Sequence, residues 1–459
     1  MNKSGDKADN RMLYTICGIA ATGGLLFGFD TGIISGALLL IKQEWTLTSF
    51  SQEWVVSAVL LGAILGAALS GRAADRFGRR DVIIGTSVLF AVGSGWAGIA
   101  HSVDSLITSR VIVGFAIGVA SFTVPLYISE IAPRRVRGAL VSLNQLAITI
   151  GIVVSYLVDD AFAGTSHGWR YMFLAGIAPA LVLGIGMLFM PESPRWLIAH
   201  KRKADAGLIL DRVMGPEQAA REMESIEAGL SKETKTSWSE LAAPWMKMPL
   251  FIGVGIVFVQ QMTGINTVIY YAPTIFQMAG FESNQAAIGA TVGVGAVNVL
   301  MTVVAIWLID KVGRKPLLYI GLAGMIASLA VLGIAFKASA GAGGTLKWVS
   351  VGSLLVYIAS FAVSLGPIAW LIISEIYPFK VRGVAMSLAT LSNWSFNFIV
   401  AMTFLTIVEK LGPSIAFWTY GIVGVAGLIF CYRYVPETKG RSLEEIEEHW
   451  YKRKHPRDL

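Results

Sequence analysis

Residues 129–138 read SEIAPRRVRG, and residues 374–383, which lie 245 positions further along the chain, read SEIYPFKVRG. A second stretch, DRFGRR at 75–80, returns as DKVGRK at 310–315, 235 positions further on. Matches in the same order at nearly the same shift are typical of a chain built from an internal duplication. The repeat therefore predicts two structurally equivalent halves.

The composition favours a membrane protein. Hydrophobic residues make up 54% of the 459 residues and charged residues only 15%, whereas soluble proteins carry about 25% charged residues. The mean hydropathy is +0.63. This balance excludes intrinsic disorder, a collagen-like repeat and an ordinary cytosolic enzyme. The two cysteines, Cys17 and Cys431, lie in apolar stretches, so a secreted disulfide scaffold is excluded too.

Twelve apolar stretches of roughly 19–29 residues are long enough to cross a bilayer core about 30 Å thick. They cover residues 13–41, 54–73, 82–100, 105–128, 139–159, 170–190, 249–277, 286–309, 317–337, 349–374, 384–408 and 415–434. With the repeat, they predict an all-α membrane protein of twelve transmembrane helices in two pseudo-symmetric six-helix bundles. The first bundle is predicted over 1–190, a linker of short cytoplasmic helices over 191–248, and the second bundle with a cytoplasmic tail over 249–459.

The basic residues predict how the bundles are oriented. Short loops on one side of the predicted membrane hold twelve Lys and Arg, against five on the other side. Since basic loops stay in the cytoplasm, both termini and the linker are expected there, with the chain in the plasma membrane. Residues 1–12 are polar and the first apolar stretch is too long for a signal sequence, so no cleaved signal peptide is expected.

Two parallel halves can rock about a site at their interface, which is how transporters of this symmetry alternate access. The repeated loops carry acids and arginines at fixed spacing, and such pairs can bridge neighbouring helix ends and favour one state. The alternative is that Arg and Lys only anchor the topology. The residues of this predicted cytoplasmic gate are Asp75, Arg79, Glu130, Arg137, Glu192, Arg195, Asp310, Arg314, Glu375, Arg382 and Glu437.

Asp30 and Arg110 are interpreted as the only formal charges deep inside the apolar stretches, away from their limits. A charge near the bilayer midplane costs about 2.5–3.5 kcal/mol on insertion scales, so function or mutual pairing has to offset it. Four glycines spaced four residues apart, from Gly24 to Gly36, form a stripe that permits close packing on a neighbouring helix. Asp30 falls opposite this stripe and is expected to face the fourth span.

This pair is predicted to couple transport to protons. Burial favours the protonated form of a carboxyl group, whereas a nearby guanidinium favours the ionised form. Asp30 is therefore predicted to load a proton from outside, with Arg110 controlling its affinity. The alternative is a static ion pair that only stabilises the first half.

Four motifs together make a family recognisable: GRAADRFGRR at 71–80, PESPR at 191–195, QQMTGINTVIYY at 260–271 and PETKG at 436–440. The chain resembles the sugar porter family of the major facilitator superfamily over its whole length. Within that family it is most similar to the bacterial galactose, arabinose and xylose proton symporters. The resemblance implies the major facilitator fold. It also favours proton coupling, because the symporters carry this Asp and Arg, whereas the facilitative glucose transporters keep the Arg but have Asn in place of the Asp.

Polar side chains stranded in the apolar stretches are candidates for a substrate site. Amides donate and accept hydrogen bonds, and indole rings pack on the C–H faces of sugars, so such a set suits a neutral polyol. The alternative is amide hydrogen bonding that only holds helices together. The resemblance implies sugar contacts at Gln145, Gln260, Gln261, Asn266, Tyr270, Asn298, Trp370, Asn393 and Trp394, with Phe27 close by.

The predicted function is proton-coupled import of a neutral monosaccharide, a hexose or pentose, by alternating access. The alternatives are a proton-independent sugar uniporter, a symporter for myo-inositol or another polyol, and a sugar sensor on a transporter scaffold. An enzyme is not expected, since none of the five histidines neighbours a plausible nucleophile or metal set. No cofactor and no metal is expected. The predicted partners are the sugar, the proton and the lipid bilayer, with no nucleic acid, and the functional unit is predicted to be a monomer.

Overall fold

The computed structural model describes residues 10–133, 135–232, 238–338, 343–441 and 443–459. Within these ranges the chain is built from α-helices and short 3-10 turns, and twelve helical segments are long and apolar enough to cross a membrane. The predicted fold class, an all-α membrane protein with twelve spans, is confirmed. Arg134, which contributed to the count of basic loop residues, lies outside the described residues.

The first six spans comprise seven helices, because the sixth span is divided. They are α1 (Asn10–Glu44), α2 (Ser49–Phe77), α3 (Arg79–Gly98), α4 (Val103–Ile131), α5 (Arg137–Phe162), α6 (Gly168–Ala175) and α7 (Ile177–Leu188). Because the number of spans is even, both ends of the chain lie at one face of the bundle. We call this the terminal face, and the face that carries the loops 45–48 and 99–102 the far face.

A helical linker follows at the terminal face. It consists of α8 (Pro194–Ala199), α9 (Lys203–Met214), α10 (Pro216–Lys232) and two 3-10 turns, Trp238–Ala242 and Pro244–Met246. The linker has a small core of its own, made by Leu197, Ile198, Ala206, Leu210, Met214, Ala219 and Ile226. The described part of the linker is therefore a folded helical segment.

The last six spans and the C-terminal tail follow the linker. They are α11 (Lys247–Met262), α12 (Ile265–Met278), α13 (Asn284–Val312), α14 (Arg314–Ala338), α15 (Gly343–Val363), α16 (Leu365–Ile376), α17 (Arg382–Ala401), α18 (Phe404–Leu411), α19 (Pro413–Tyr434) and α20 (Leu443–Tyr451). Two 3-10 turns, Phe379–Val381 and Pro456–Asp458, complete the elements. The observed spans extend beyond most of the predicted apolar limits, because polar residues continue the helices past the hydrocarbon core.

Four spans that the hydropathy pattern predicts as continuous are divided into two helices. The breaks lie at Gly176, at Gly264, at Ser364 and at 402–403. Gly264 has a φ of 90°, a left-handed conformation that a helix cannot continue through. Pro367 follows the third break and lacks the backbone N–H that a continuous helix would require. Each break frees backbone groups inside the bundle, where side chains have to satisfy them.

The glycine stripe of α1 packs directly on α5, as predicted. A Cβ atom at Gly28 would lie 1.8 Å from the carbonyl oxygen of Ile148, and one at Gly32 would lie 2.0 Å from the Ser155 Oγ. The backbones of the two helices are therefore in van der Waals contact. This contact holds α1 at a fixed rotation, with the opposite side, which carries Asp30, turned toward the interior.

Gly28→Ala is expected to destabilise the protein, because the added methyl group must push the two backbones apart. Overpacking of this kind costs about 1–3 kcal/mol, and the melting temperature in detergent should fall accordingly. Gly18→Ala is the matched control: Gly18 lies on the same helix and a Cβ there would meet nothing within 4 Å. Equal melting temperatures for the two variants would contradict the close approach of α1 and α5.

Candidate functional site

Asp30 and Arg110 form a bidentate ion pair in the interior of the first half. Arg110 Nη1 donates to Asp30 Oδ1 at 3.0 Å, and Arg110 Nη2 donates to Asp30 Oδ2 at 3.3 Å. The two residues are 4% and 1% exposed, respectively. The Arg110 guanidinium also lies over the Phe173 ring, 5.7 Å from its centroid. The predicted contact between the first and fourth spans is thus present, although the contact alone does not assign a role to the pair.

A small cavity adjoins the Asp30 carboxyl group. Its volume of about 10 Å³ gives room for roughly one water molecule. Phe27, Tyr270 and Trp394 line it together with Asp30, and the rest of the wall is Thr31, Val59, Leu60, Ala63 and Ile117. The candidate proton carrier of the first half and two candidate sugar contacts of the second half therefore share one space.

Two aromatic rings meet across the halves at this cavity. The ring centroids of Phe27 on α1 and Trp394 on α17 lie 5.3 Å apart with an interplanar angle of 46°. Trp394 is only 4% exposed. The two rings separate whenever the halves move apart, so the contact between them indicates whether the halves are together at the central site.

An amide network connects the broken helices of the second half. Gln260 donates through Nε2 to the carbonyl oxygens of Leu365, at 2.8 Å, and Gly366, at 3.3 Å. Asn393 Nδ2 donates to Gln260 Oε1 at 2.8 Å. The Gln260 side chain thus satisfies carbonyl groups at the break that precedes α16. The amides that suit sugar hydroxyls thus also hold helices together, as the alternative interpretation of these residues has it.

A second set of polar contacts surrounds the start of α12. Asn266 Nδ2 donates to Gln261 Oε1 at 2.6 Å across the Gly264 break. Asn397 Nδ2 donates to the Tyr270 hydroxyl at 3.2 Å, and Asn397 itself is 3% exposed. Asn397 is not among the residues predicted from the sequence. Its position one turn after Asn393 on the same face of α17 is the signal that would have found it.

The remaining predicted sugar contacts lie outside the wall of the small cavity. Gln145 on α5 and Trp370 on α16 are half-buried, and Asn298 on α13 is buried. All three project from helices that pack within the membrane part of the bundle. Their contribution to a substrate site stays a prediction.

The repeated loop motifs make equivalent bonds in the two halves. Arg79, at the start of α3, binds Glu130 of α4 at 2.9 Å, and Arg314, at the start of α14, binds Glu375 of α16 at 2.9 Å. Each pair bridges two helix ends at the terminal face within its own half, and a role in gating stays a prediction. Asp75 adds a contact of 3.2 Å to Arg79. The side chain of Asp310, its predicted counterpart, lies outside the described side chains.

Glu192 and Glu437, two further residues of the predicted gate, each bond to backbone groups at the start of a helix. Glu192 Oε1 accepts the backbone N–H of Arg79 at 3.0 Å, and Glu437 Oε1 accepts the backbone N–H of Arg314 at 3.1 Å. The first N–H groups of a helix lack acceptors within the helix, so a carboxylate there is stabilised by several donors at once. Burial raises the pKa of Glu192, while the N–H groups of its neighbours oppose that shift.

The other gate residues bond to the linker and to nearby carbonyl groups. Arg137 Nη2 binds Glu222 of α10 at 3.2 Å, and Arg382 Nε donates to the Tyr377 carbonyl oxygen at 3.0 Å. Arg195 is the second residue of α8 and is half-buried. The linker is thus tied to the loop motif of the first half by an ion pair that the sequence argument did not foresee.

Asp30 is not the only acid buried in a membrane span, contrary to the prediction. Glu53 on α2 and Asp159 on α5 are both 0% exposed. Glu53 accepts the backbone N–H and the Oγ1–H of Thr406, each at 2.7 Å, and Asp159 accepts the N–H of Gly36 at 3.0 Å. Both acids lie near the far face, at the limits of the predicted apolar stretches. Glu53 has two donors from Thr406, whereas Asp159 has the Gly36 N–H on one of its two oxygens.

Several contacts between the halves lie toward the far face. Besides the bond from Thr406, Lys42 Nζ donates to Gln277 Oε1 at 2.9 Å. The Tyr156 hydroxyl donates to the Ile269 carbonyl oxygen at 3.1 Å. These bonds join α1, α2 and α5 of the first half to α12 and α18 of the second, so the halves are closed on each other at that face.

The chain is similar to membrane transporters along nearly its whole length. A profile of the family described as "Sugar (and other) transporter" matches residues 16–450. The D-xylose transporter of Levilactobacillus brevis is 42% identical over 93% of this chain and 93% of that protein. The galactose-proton symporter of Escherichia coli (strain K12) is 40% identical over 100% of this chain and 98% of that protein.

A solved structure extends the similarity to three dimensions. The xylose transporter XylE from E. coli, in a partially occluded inward open conformation, matches with a TM-score of 0.83 at 34% sequence identity. The match covers 94% of this chain and 100% of that one. The match therefore extends over both halves of the chain.

Proposed function

This chain belongs to the sugar transporter family of the major facilitator superfamily, and on that premise we propose that it imports a neutral monosaccharide, a hexose or a pentose, together with a proton. It is a multi-pass membrane transporter and not an enzyme. The observation that carries the proposal is the cavity that Asp30 shares with Tyr270 and Trp394. A group that can carry a proton and groups that can hold a sugar thus face each other directly.

In this proposal the sugar binds between the halves at the centre of the bundle. The amides of Gln260, Gln261 and Asn266 exchange their present bonds for bonds to sugar hydroxyls, and the ring of Trp394 packs on the sugar face. The relatives named above carry different sugars, galactose in one case and D-xylose in another. A site built from amides and indole rings accommodates either a hexose or a pentose.

The proton enters through Asp30. Protonation removes the charge that holds the carboxyl group to Arg110, which frees α1 to shift with Phe27 and close on the bound sugar. When the site faces the cytoplasm, Asp30 pairs with Arg110 again and releases its proton. Each proton that enters gains about 2.3 kcal/mol per 100 mV of membrane potential, inside negative, and this energy can drive sugar uphill.

The proposal assigns the terminal face to the cytoplasm and places the protein in the plasma membrane, which is the inner membrane of a bacterium. Residues 1–190 and 249–459 move as two bodies joined by the 191–248 linker, within a functional monomer. The ion pairs of Arg79 with Glu130 and of Arg314 with Glu375 join neighbouring helix ends at the cytoplasmic end of each body. They keep each half rigid while the contact between the halves forms and breaks.

Uptake into energised cells tests the proposal. We expect accumulation of at least one radiolabelled sugar from a panel of galactose, glucose, arabinose, xylose and myo-inositol, and its loss when a protonophore is added. Sugar addition should also alkalinise a weakly buffered medium, because protons enter with the sugar. Uptake that only equilibrates, without a pH change, would assign a uniporter instead, and binding without any flux would assign a sensor.

A further inference from the structure

Glu53 joins the two halves of the protein at the far face. It is the fifth residue of α2, and its side chain is completely buried. Glu53 Oε1 accepts the backbone N–H of Thr406 at 2.7 Å, and Glu53 Oε2 accepts the Thr406 hydroxyl at the same distance. The two residues are 353 positions apart in the chain. A buried carboxylate of the first half thus depends on donors from the second half.

The bond has the geometry of a helix cap supplied by another part of the chain. Thr406 is the third residue of α18, so its N–H group has no acceptor within its own helix. The N-terminal end of a helix is also positive and attracts an anion. This end exists because the eleventh span is broken at 402–403; a continuous helix there would use the Thr406 N–H internally. The break therefore creates the docking point for Glu53.

The Glu53 bond differs from the Asp30–Arg110 pair in what must happen to it during transport. Asp30 and Arg110 lie on α1 and α4, which both belong to the first half. The rocking of the halves does not pull this pair apart, and in the proposed cycle only the protonation of Asp30 breaks it. Glu53 and Thr406 lie on opposite sides of the interface, so their bonds must break and the carboxylate must enter water whenever the far face opens.

We propose that Glu53 and the N-terminus of α18 form a latch that holds the far face closed during each transport cycle. This inference rests on the alternating access of the proposed function. Charge-assisted bonds of this kind are among the strongest in proteins, so the latch biases the equilibrium toward the far-closed state. Removing the latch shifts the population toward the far-open state. It also slows the step in which the far face closes again over the empty or the loaded site.

Accessibility of a cysteine at position 57 measures this equilibrium. Ser57 lies one turn below Glu53 on the same side of α2 and is fully buried. Ser57→Cys is therefore protected while the far face is closed and reacts with a hydrophilic maleimide when it opens. The purified protein in lipid nanodiscs exposes both faces to the reagent. The parent protein supplies the background, because Cys17 and Cys431 are both buried.

Glu53→Gln keeps the shape of the side chain but removes its charge. In the Ser57→Cys protein, Glu53→Gln is expected to raise the labelling rate about tenfold. The reason is that hydrogen bonds to a charged acceptor become weaker hydrogen bonds to a neutral one. Thr406→Val removes the hydroxyl donor and should raise the labelling rate several-fold. Thr406→Ser keeps both donors, so its labelling rate should equal that of the Ser57→Cys protein. Because the two residues share one contact, the double variant Glu53→Gln/Thr406→Val should react much more slowly than the product of the two single effects implies.

An unchanged labelling rate in Glu53→Gln would overturn the latch, and so would independent, multiplicative effects of the two substitutions. Thermal melting of each variant shows whether the labelling rate rises only because the variant is less stable. A rise in labelling that only follows a fall in melting temperature also overturns the latch. The proposed function is judged separately by sugar uptake. If uptake succeeds and labelling is unchanged, the latch fails alone; if labelling changes as expected and no sugar is carried, the proposed function fails alone.

Discussion

An Asp30→Asn protein is expected to exchange sugar across vesicle membranes at a rate close to the original, yet to accumulate none against a gradient. The substitution keeps the size of the side chain and its ability to accept a bond from Arg110, so the central site retains its shape. It removes the group that can take up and release a proton. A gradient of 100 mV can sustain about fiftyfold accumulation per proton in the parent protein, and this ratio should fall to about one.

Two assays on the same proteoliposomes separate these expectations. Counterflow of labelled sugar measures exchange, and uptake driven by an imposed pH gradient and potential measures coupling. Asp159→Asn is the matched control, because Asp159 is an equally buried acid of the first half that accepts from the Gly36 N–H and does not pair with Arg110. It should retain accumulation. Undiminished gradient-driven uptake by Asp30→Asn would remove Asp30 from the coupling mechanism.

The pairing of Asp30 with Arg110 could be predicted from the sequence because a lone charge in an apolar span is costly. When two opposite charges lie in different spans, pairing is the cheapest way to offset that cost. The glycine stripe of α1 predicted the direction in which Asp30 points, since close packing of the glycine side on a neighbouring helix turns Asp30 to the opposite side. Spacing and hydropathy were therefore sufficient for this contact.

The same criteria could not predict Glu53 and Asp159 as buried acids. Both lie at the limits of their apolar stretches, where a carboxylate usually faces water. The burial of Glu53 is compensated by the N–H and the hydroxyl of Thr406 at the start of α18. That start depends on a break at 402–403 that the hydropathy pattern does not predict. An acid whose partner is the N-terminus of a helix leaves no pattern of opposite charge in the sequence.

The loop motifs illustrate the same limit. Glu192 of the PESPR motif and Glu437 of the PETKG motif lie 245 positions apart, which is a shift of the repeat. Each accepts N–H groups at the start of the helix that begins with Arg79 or Arg314. What the repeat could not indicate was the choice between the backbone and the side chain of the arginine. That choice depends on where the helix begins, which is settled by Gly78 and Gly313 in left-handed conformations just before the arginines.

Arg110→Leu is expected to be among the most destabilising single substitutions in the protein, because it leaves the Asp30 carboxylate buried without its cation. Breaking a buried pair in this way costs about 3–5 kcal/mol. The double variant Asp30→Asn/Arg110→Leu removes both charges and should recover most of that loss. Thermal melting of the four proteins, the parent and the three variants, gives the coupling free energy between the two residues as a double-mutant cycle.

The double variant also distinguishes a static ion pair from a proton carrier. If the pair only stabilises the first half, a protein that regains its stability without the charges should regain accumulation as well. If Asp30 carries the proton, stability returns while accumulation stays absent, because no other group at the cavity replaces the carboxyl. A double variant that remains as unstable as Arg110→Leu would instead show that Arg110 acts mainly through other contacts, such as the Phe173 ring beneath its guanidinium.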